Sequence, residues 1–400
     1  MVREDAVRTA GGRQPGYAAA AVVFAIGMAG TTLPTPLYGL YQEQIGFSEL
    51  MVTVVFAVYA LAVITVLMLA GNYSDKAGRR PVLLCAMALS AASAGCFLLE
   101  SGLPLLFAGR LLSGGAAGLL SGAATAAVLE LARPGQKARA GFAATAANMG
   151  GLGCGPLLSG FLAEYTPWPL ALPFWVHLGL VALACGITWR LPETVTHPQH
   201  WPRPAPQGVA VPPEVKGVFA RASLAAFAGF SLLGLFTAVA PSFAKETLGV
   251  GNLAVIGAVV FSVFLASTLG QSLTRRIGAR LALPLGCGAL IVGLLLVASS
   301  LIVESLPLIV LGALFGGTGQ GLSFRAALTL VSDAAPDTHR GGTISAFFVV
   351  AYTGISVPVV GVGALATWLG LREAGLVFTG CVTVLAAGAG TYSALRPPRT

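Results

Sequence analysis

The sequence predicts an all-α membrane protein: twelve transmembrane helices in two pseudo-symmetric six-helix bundles. Three observations carry this. Apolar runs long enough to cross a bilayer alternate with short polar loops, basic residues crowd the loops of one side, and the second half of the chain repeats the first.

Hydrophobic residues make up 56% of the chain and charged residues only 10%, whereas a soluble domain is about one quarter charged. Apolar spans read at 17–41, 50–70, 82–99, 103–131, 140–163, 170–189, 219–243, 250–272, 281–302, 306–331, 341–366 and 373–394. At about 1.5 Å per residue, about 20 residues cross a hydrocarbon layer about 30 Å thick. The 52 glycines suit helices that approach closely in lipid.

The basic residues orient the chain. With the N-terminus in the cytoplasm, all lysines and arginines fall in inside loops or tails except Lys245, Arg372, Arg110 and Arg325. The positive-inside rule therefore predicts a multi-pass protein of the cell membrane with both termini cytoplasmic. A net charge of +8 does not point to nucleic acid, because the bases are spread over these loops and form no single patch. The bilayer is the expected surrounding, and a monomer the expected state.

Residues 191–217 contain seven prolines and read as an extended cytoplasmic linker between bundles at 1–190 and 218–400. The bundles look duplicated. Leu103-Pro104-Leu105, Gly109, Gly114, Gly118 and Glu130 recur 203 positions later as Leu306-Pro307-Leu308, Gly312, Gly317, Gly321 and Asp333. Such repeats belong to transporters that rock two halves about a central site.

The loop after the second span is Gly71-Asn72-Tyr73-Ser74-Asp75-Lys76-Ala77-Gly78-Arg79-Arg80-Pro81. It packs one acid and three bases between two uncharged runs. Gly78 permits a tight turn, and Pro81 suits the first turn of the next helix. The pattern Gly-x-x-x-Asp-x-x-Gly-Arg-Arg closely resembles the loop between helices 2 and 3 of the major facilitator superfamily.

Two further stretches strengthen the resemblance. Arg110-Leu-Leu-Ser-Gly114-Gly115-Ala-Ala-Gly118 is similar to the family's arginine-plus-glycine helix 4. Gly151-Leu-Gly-Cys-Gly155-Pro156-Leu-Leu-Ser159-Gly160 resembles its antiporter-associated motif, with Ser159 replacing a glycine.

The resemblance implies a conformational latch at the cytoplasmic face. Its members would be Asp75, Arg79 and Glu130, supported by Gly71, Gly78 and Arg80, with Asp75 facing the start of helix 11 near Gly341-Gly342. It also implies that helices 1, 4, 7 and 10 line a cavity. Phe24, Arg110, Phe227, Phe230, Gln320 and Arg325 are the candidate lining, coupling or substrate residues. A guanidinium at mid-span costs about 2.5–3.5 kcal/mol on insertion scales, so each arginine should face a cavity or partner, or snorkel to an interface. His177, the only histidine in an apolar run, reads as a hydrogen-bonded interfacial residue.

All fifteen acids lie in loops or near span ends, so no mid-membrane carboxylate offers itself as a proton carrier. The leading function is nevertheless export of a small, amphipathic, drug-like compound by proton antiport through alternating access. A second is transport of a sugar-like or anionic metabolite, favoured by two buried arginines without buried acids. A membrane enzyme would need clustered His, Asp, Glu or Cys, and a receptor an appended soluble domain. Neither is seen. No nucleotide-binding Gly-x-x-x-x-Gly-Lys-Ser/Thr occurs, and the six cysteines lie in apolar runs without metal-ligand spacing, so no cofactor or metal is expected.

Overall fold

The computed structural model describes residues 16–99, 102–199 and 210–395, and within them the regular structure is entirely helical. Twelve long helices follow in order: α1 (Tyr17–Ile45), α2 (Glu49–Ala70), α3 (Arg79–Leu98), α4 (Leu103–Glu130), α5 (Lys137–Tyr165), α6 (Leu172–Arg190), α7 (Pro213–Glu246), α8 (Leu253–Ile277), α9 (Ala279–Val303), α10 (Leu306–Ala334), α11 (Arg340–Leu369) and α12 (Leu371–Leu395). Eleven are apolar enough by composition alone to cross a membrane. The other, α5, is 29 residues long, and its glycines, with Asn148, Pro156 and Ser159, dilute its hydropathy.

Local sequence sets the boundaries. Ser48 caps α2 by accepting a hydrogen bond from Met51 N, and Asn252 caps α8 through Val255 N at 2.9 Å. Within α1, a 3-10 turn at Thr35–Leu37 follows Pro34, and Pro36 lies inside it. Prolines lack the N–H that a continuous α-helix needs. Residues Leu235–Val239 of α7 form a π-helical stretch just before Pro241, which cannot bond back to the carbonyl of Thr237.

The outer surface is apolar: Leu61, Phe161, Leu183, Leu295 and Val384 are all exposed. A chain whose solvent is lipid has no reason to bury them. Trp168, Trp175, Trp189 and Trp368 are exposed near helix ends, where amphipathic rings suit the membrane interface.

In the first half α4 contacts α1, α2 and α3; in the second α10 contacts α7, α8 and α9. The halves meet chiefly where α2 packs on α11 and α5 on α8. The loops after α2, α4, α8 and α10 share one face, rich in Lys and Arg and called here the basic face. The opposite one is the far face. Arg3, Arg8, Arg13, Arg203, Arg396 and Arg399 lie outside the described residues.

Candidate functional site

Three parts of the structure bear on function: the charged loop at the basic face, a seam at the far face, and a cavity between them.

At the basic face, α2 ends at Gly71, whose carbonyl lies against Gly122 of α4. After the helical turn Tyr73–Ala77, Gly78 takes φ 99°, a conformation that L side chains rarely adopt. The reversal drops Arg79 into the first turn of α3 with its side chain only 10% exposed. Its Nη1 pairs with Asp75 Oδ1 at 2.5 Å and donates to Ser74 Oγ at 2.6 Å. Nη2 and Nε donate to the two carboxylate oxygens of Glu130 at 2.8 and 3.2 Å. One planar guanidinium thus ties the loop to the end of α4, a fork that a lysine could not reproduce.

The start of the linker completes this cluster, which sequence reasoning missed. Glu193 accepts the backbone N–H groups of Arg79 and Arg80 at 2.8 and 3.0 Å, capping α3 from 114 residues away. Thr194 Oγ1 donates to Glu130 Oε2 at 2.5 Å, and Gln199 N to the Lys76 carbonyl at 2.7 Å. Arg80 donates to the Trp189 carbonyl at 2.7 Å and stacks 5.8 Å over that indole. Residues 189–199 are therefore strapped across the loop rather than free as a spacer. A side chain at Gly78 would meet Glu193 Oε2 at 2.7 Å, a second reason for glycine there.

The expected approach of Asp75 to the start of α11 is not made here. Its carboxylate is 59% exposed and bonds Arg79, and space is open beside Gly341. Every bond in the cluster stays within the first half and the linker; the halves touch elsewhere on this face, where Arg275 donates to the Ala138 carbonyl at 2.8 Å.

At the far face the halves are bonded. Lys245 of α7 pairs with Glu43 of α1, Ser242 Oγ donates to Glu49 Oε2 at 3.0 Å, and Leu253 N donates to Glu164 Oε2 at 2.8 Å. In each bond the first half supplies a carboxylate and the second a donor. The antiporter-like stretch of α5 forms the helix seam alongside. A Cβ on Gly151 or Gly155 would lie 2.5 Å from the Ala25 carbonyl or 2.3 Å from the Ala29 carbonyl, both on α1. One on Gly160 would lie 2.3 Å from the Leu253 carbonyl of α8, and Gly257 stands equally close to the Pro156 carbonyl. Ser159 turns its hydroxyl back to its own helix, bonding the Gly155 carbonyl at 3.0 Å, so it keeps the seam narrow.

Between the faces lies a cavity of about 390 Å³. Its wall runs from Thr31, Phe56 and Tyr59 to Leu129, Gly141, Arg325 and Leu328, toward the basic face. Eight helices contribute: α1, α2, α4, α5, α7, α8, α10 and α11. That is twice the expected set, because α2, α5, α8 and α11 also flank the axis between the halves. Phe230, Phe324, Phe348 and Tyr352 form a continuous aromatic cluster on the second-half side, with ring centroids 5.1–6.1 Å apart. Hydroxyls and amides are interspersed, among them Thr237 from the π-helical stretch of α7, Asn148 and Gln271.

Of the six candidate lining residues, Phe230 and Arg325 are on the wall. Phe24 and Gln320 are fully buried behind it, and Gln320 Oε1 accepts from Ser267 Oγ at 2.6 Å. Phe227 backs α7 onto α11, its carbonyl against Gly354. Arg110 is also behind the wall, and its 1% exposure rules out snorkelling. Its Nη1 donates to the Thr31 carbonyl at 2.5 Å and its Nε to the Tyr38 hydroxyl. The guanidinium lies 5.2, 5.7 and 5.8 Å from the ring centroids of Tyr38, Phe56 and Tyr59, an aromatic box. Nη2 has no hydrogen-bond partner. His177 is likewise buried rather than interfacial, with Nε2 2.9 Å from Ser90 Oγ, and is not on the wall.

Two helical halves bonded to each other on one face, around a cavity that leads toward the other, have the architecture of a multi-pass membrane transporter. The profile of the Major Facilitator Superfamily matches residues 19–359, and the chain belongs to that superfamily. Its fold is similar to that of the human organic anion transporter MFSD10 (TETRAN), with a TM-score of 0.65 and 18% identity, covering 94% of this chain and 98% of that one. It is also similar to a bacterial homolog of the human lysosomal transporter Spinster, solved in an inward-facing, unoccupied conformation. There the TM-score is 0.71 and the identity 14%, with coverage of 96% and 98%. A search of curated proteins finds no match.

Proposed function

We propose that the chain exports a small amphipathic organic compound by alternating access between its halves, 1–190 and 218–400, joined by the linker 191–217. The observation that carries this reading is the wall: an aromatic cluster with dispersed hydroxyls and amides, and a single formal charge. Such a surface binds a flat, largely apolar body and orients it through a few polar contacts. A sugar would need a denser array of hydrogen-bonding side chains than this wall offers.

With the basic face in the cytoplasm of the cell, the cavity is loaded from inside. The bonds of Lys245, Ser242 and Leu253 close the outside. When the far face opens, the basic face closes, and Asp75 then meets the start of α11. A helix N-terminus favours a negative charge by about 0.3–1 kcal/mol. The Asp75–Arg79–Glu130 cluster is the element whose two arrangements distinguish the states.

Exchange for protons is supported by the likeness of Gly151–Gly160 to the antiporter motif. Carboxylates at the helix ends are available to carry a proton, among them Glu130 on the basic face and Glu43, Glu49, Glu164 and Glu246 on the far face. The test is transport by proteoliposomes under an imposed pH gradient, with aromatic compounds of each charge type. Gradient-driven movement is expected, and movement indifferent to the gradient removes the proton exchange while leaving the transporter.

A further inference from the structure

The charges around the cavity do not balance. Arg325 is exposed to the cavity, and its guanidinium has no hydrogen-bond or ion-pair partner among the described residues. Among the described residues, no carboxylate is on the wall. The charged group that bears on Arg325 most directly is Arg275, itself a cation, which donates to the Ala138 carbonyl at 2.8 Å. Behind the opposite end of the wall sits Arg110, 1% exposed, with one guanidinium nitrogen unpartnered. Its oxygen partners are a carbonyl and a phenol, and neither carries compensating charge.

The two cations stand at opposite ends of the path. Arg325 is about nine residues from the basic-face end of α10, roughly 14 Å, and Arg110 about seven residues from the far-face end of α4, roughly 11 Å. An intramembrane cation without a counter-ion is costly, and most such groups have a carboxylate on a neighbouring helix. Here no described residue on the wall supplies the negative charge, and a bound anion can.

We infer that the transported compound is an organic anion, a carboxylate or sulfonate on an aromatic body, and that Arg325 docks its charged group. This rests on the transporter reading above. The fork of the guanidinium matches two anionic oxygens, so docking adds orientation to attraction. The aromatic cluster of Phe230, Phe324, Phe348 and Tyr352 starts one residue away on α10 and receives the body. Arg110 does not touch the ligand. From behind Phe56 and Tyr59 it keeps the far end of the cavity positive, which draws the anion inward and turns organic cations away. Repeat symmetry agrees with a site on one side only, since the position in α4 equivalent to Arg325 is Gly122.

The experiment uses two probes with one ring system, 2-naphthoate and the neutral 2-naphthamide, on purified full-length protein. Equilibrium binding and proteoliposome transport are both measured for the native chain, Arg325→Gln and Arg325→Lys. The native chain is expected to prefer naphthoate. Arg325→Gln should weaken naphthoate binding about tenfold or more, the scale of one lost charge-assisted hydrogen bond, and weaken the uncharged naphthamide far less. Arg325→Lys should recover part of the loss. Equal effects on both probes, or naphthoate binding indifferent to Arg325→Gln, would overturn the assignment. Binding that follows this pattern without movement of either probe would defeat the transporter reading and leave the anion site standing.

Discussion

Arg79→Ala is expected to reduce transport to background while the protein still inserts and folds. The substitution removes every contact of the guanidinium with Ser74, Asp75 and Glu130 at once. Those acids are partly exposed, at 59% and 38%, so water rehydrates them and the loss of stability is modest. What disappears is the tie between loop and α4, and with it the placement of Asp75 for closure against α11. Arg79→Lys should fail nearly as badly, because one ammonium cannot span an aspartate and both oxygens of Glu130. The control is Lys137→Gln, an exposed base on the same face. The comparison is initial transport rate per inserted molecule. Similar mild losses in Arg79→Ala and Lys137→Gln would reduce the cluster to a set of membrane anchors.

Gly160→Val is expected to leave the fold intact and stop the cycle, in contrast to Gly155→Val, which should impair folding itself. Gly155 abuts α1 inside its own half, whereas Gly160 abuts the Leu253 carbonyl of α8 across the halves. The obstructing atom in both cases is backbone, which cannot swing aside. Overpacking of this kind costs about 1–3 kcal/mol. In the Gly160 variant the strain falls only on the state whose far face is closed. States of a two-state protein differ by a few kcal/mol, so that penalty suffices to shift the population toward an open far face. A cysteine replacing Glu43 should then react faster with a membrane-impermeant maleimide than in the native background. An unchanged labelling rate with normal transport would show that the seam tolerates the extra volume.

How much of this could be read from the sequence depended on the kind of signal. The twelve spans and the Asp75–Arg79 pair were legible because charges interrupting long apolar runs are conspicuous and these two are four residues apart. Glu130, 51 residues from Arg79, was joined to them by the family resemblance. Glu193 and Thr194 were not legible. Their partners lie 114 and 64 residues away, and a proline-rich stretch gives no hint of what it is strapped to.

The cavity wall was the hardest to foresee. In a soluble helix the polar face marks what points away from the core. Here lipid, helix contacts and cavity are all largely apolar, and that contrast vanishes. Phe24 and Gln320 were assigned to the wall from the expected helix order, yet the rotation of α1 and α10 buries them, while Phe56, Tyr59 and Tyr352 came from helices outside that set. Arg325, a lone cation in an apolar span, is on the wall. Arg110, the other such cation, takes the alternative of a partner, an aromatic box and a carbonyl behind the wall.

Alternating access is most directly tested by holding the far face shut. Glu43→Cys and Lys245→Cys, in a chain whose six native cysteines are replaced by serine, put a thiol on each half at the pair that joins them. A short reducible bis-methanethiosulfonate reagent then links the halves where they already touch. Transport should stop on cross-linking and return on reduction, while binding of 2-naphthoate from the basic face persists throughout. Transport that continues undiminished through the cross-linked protein would contradict the account, since the compound would then be crossing without the far face ever opening.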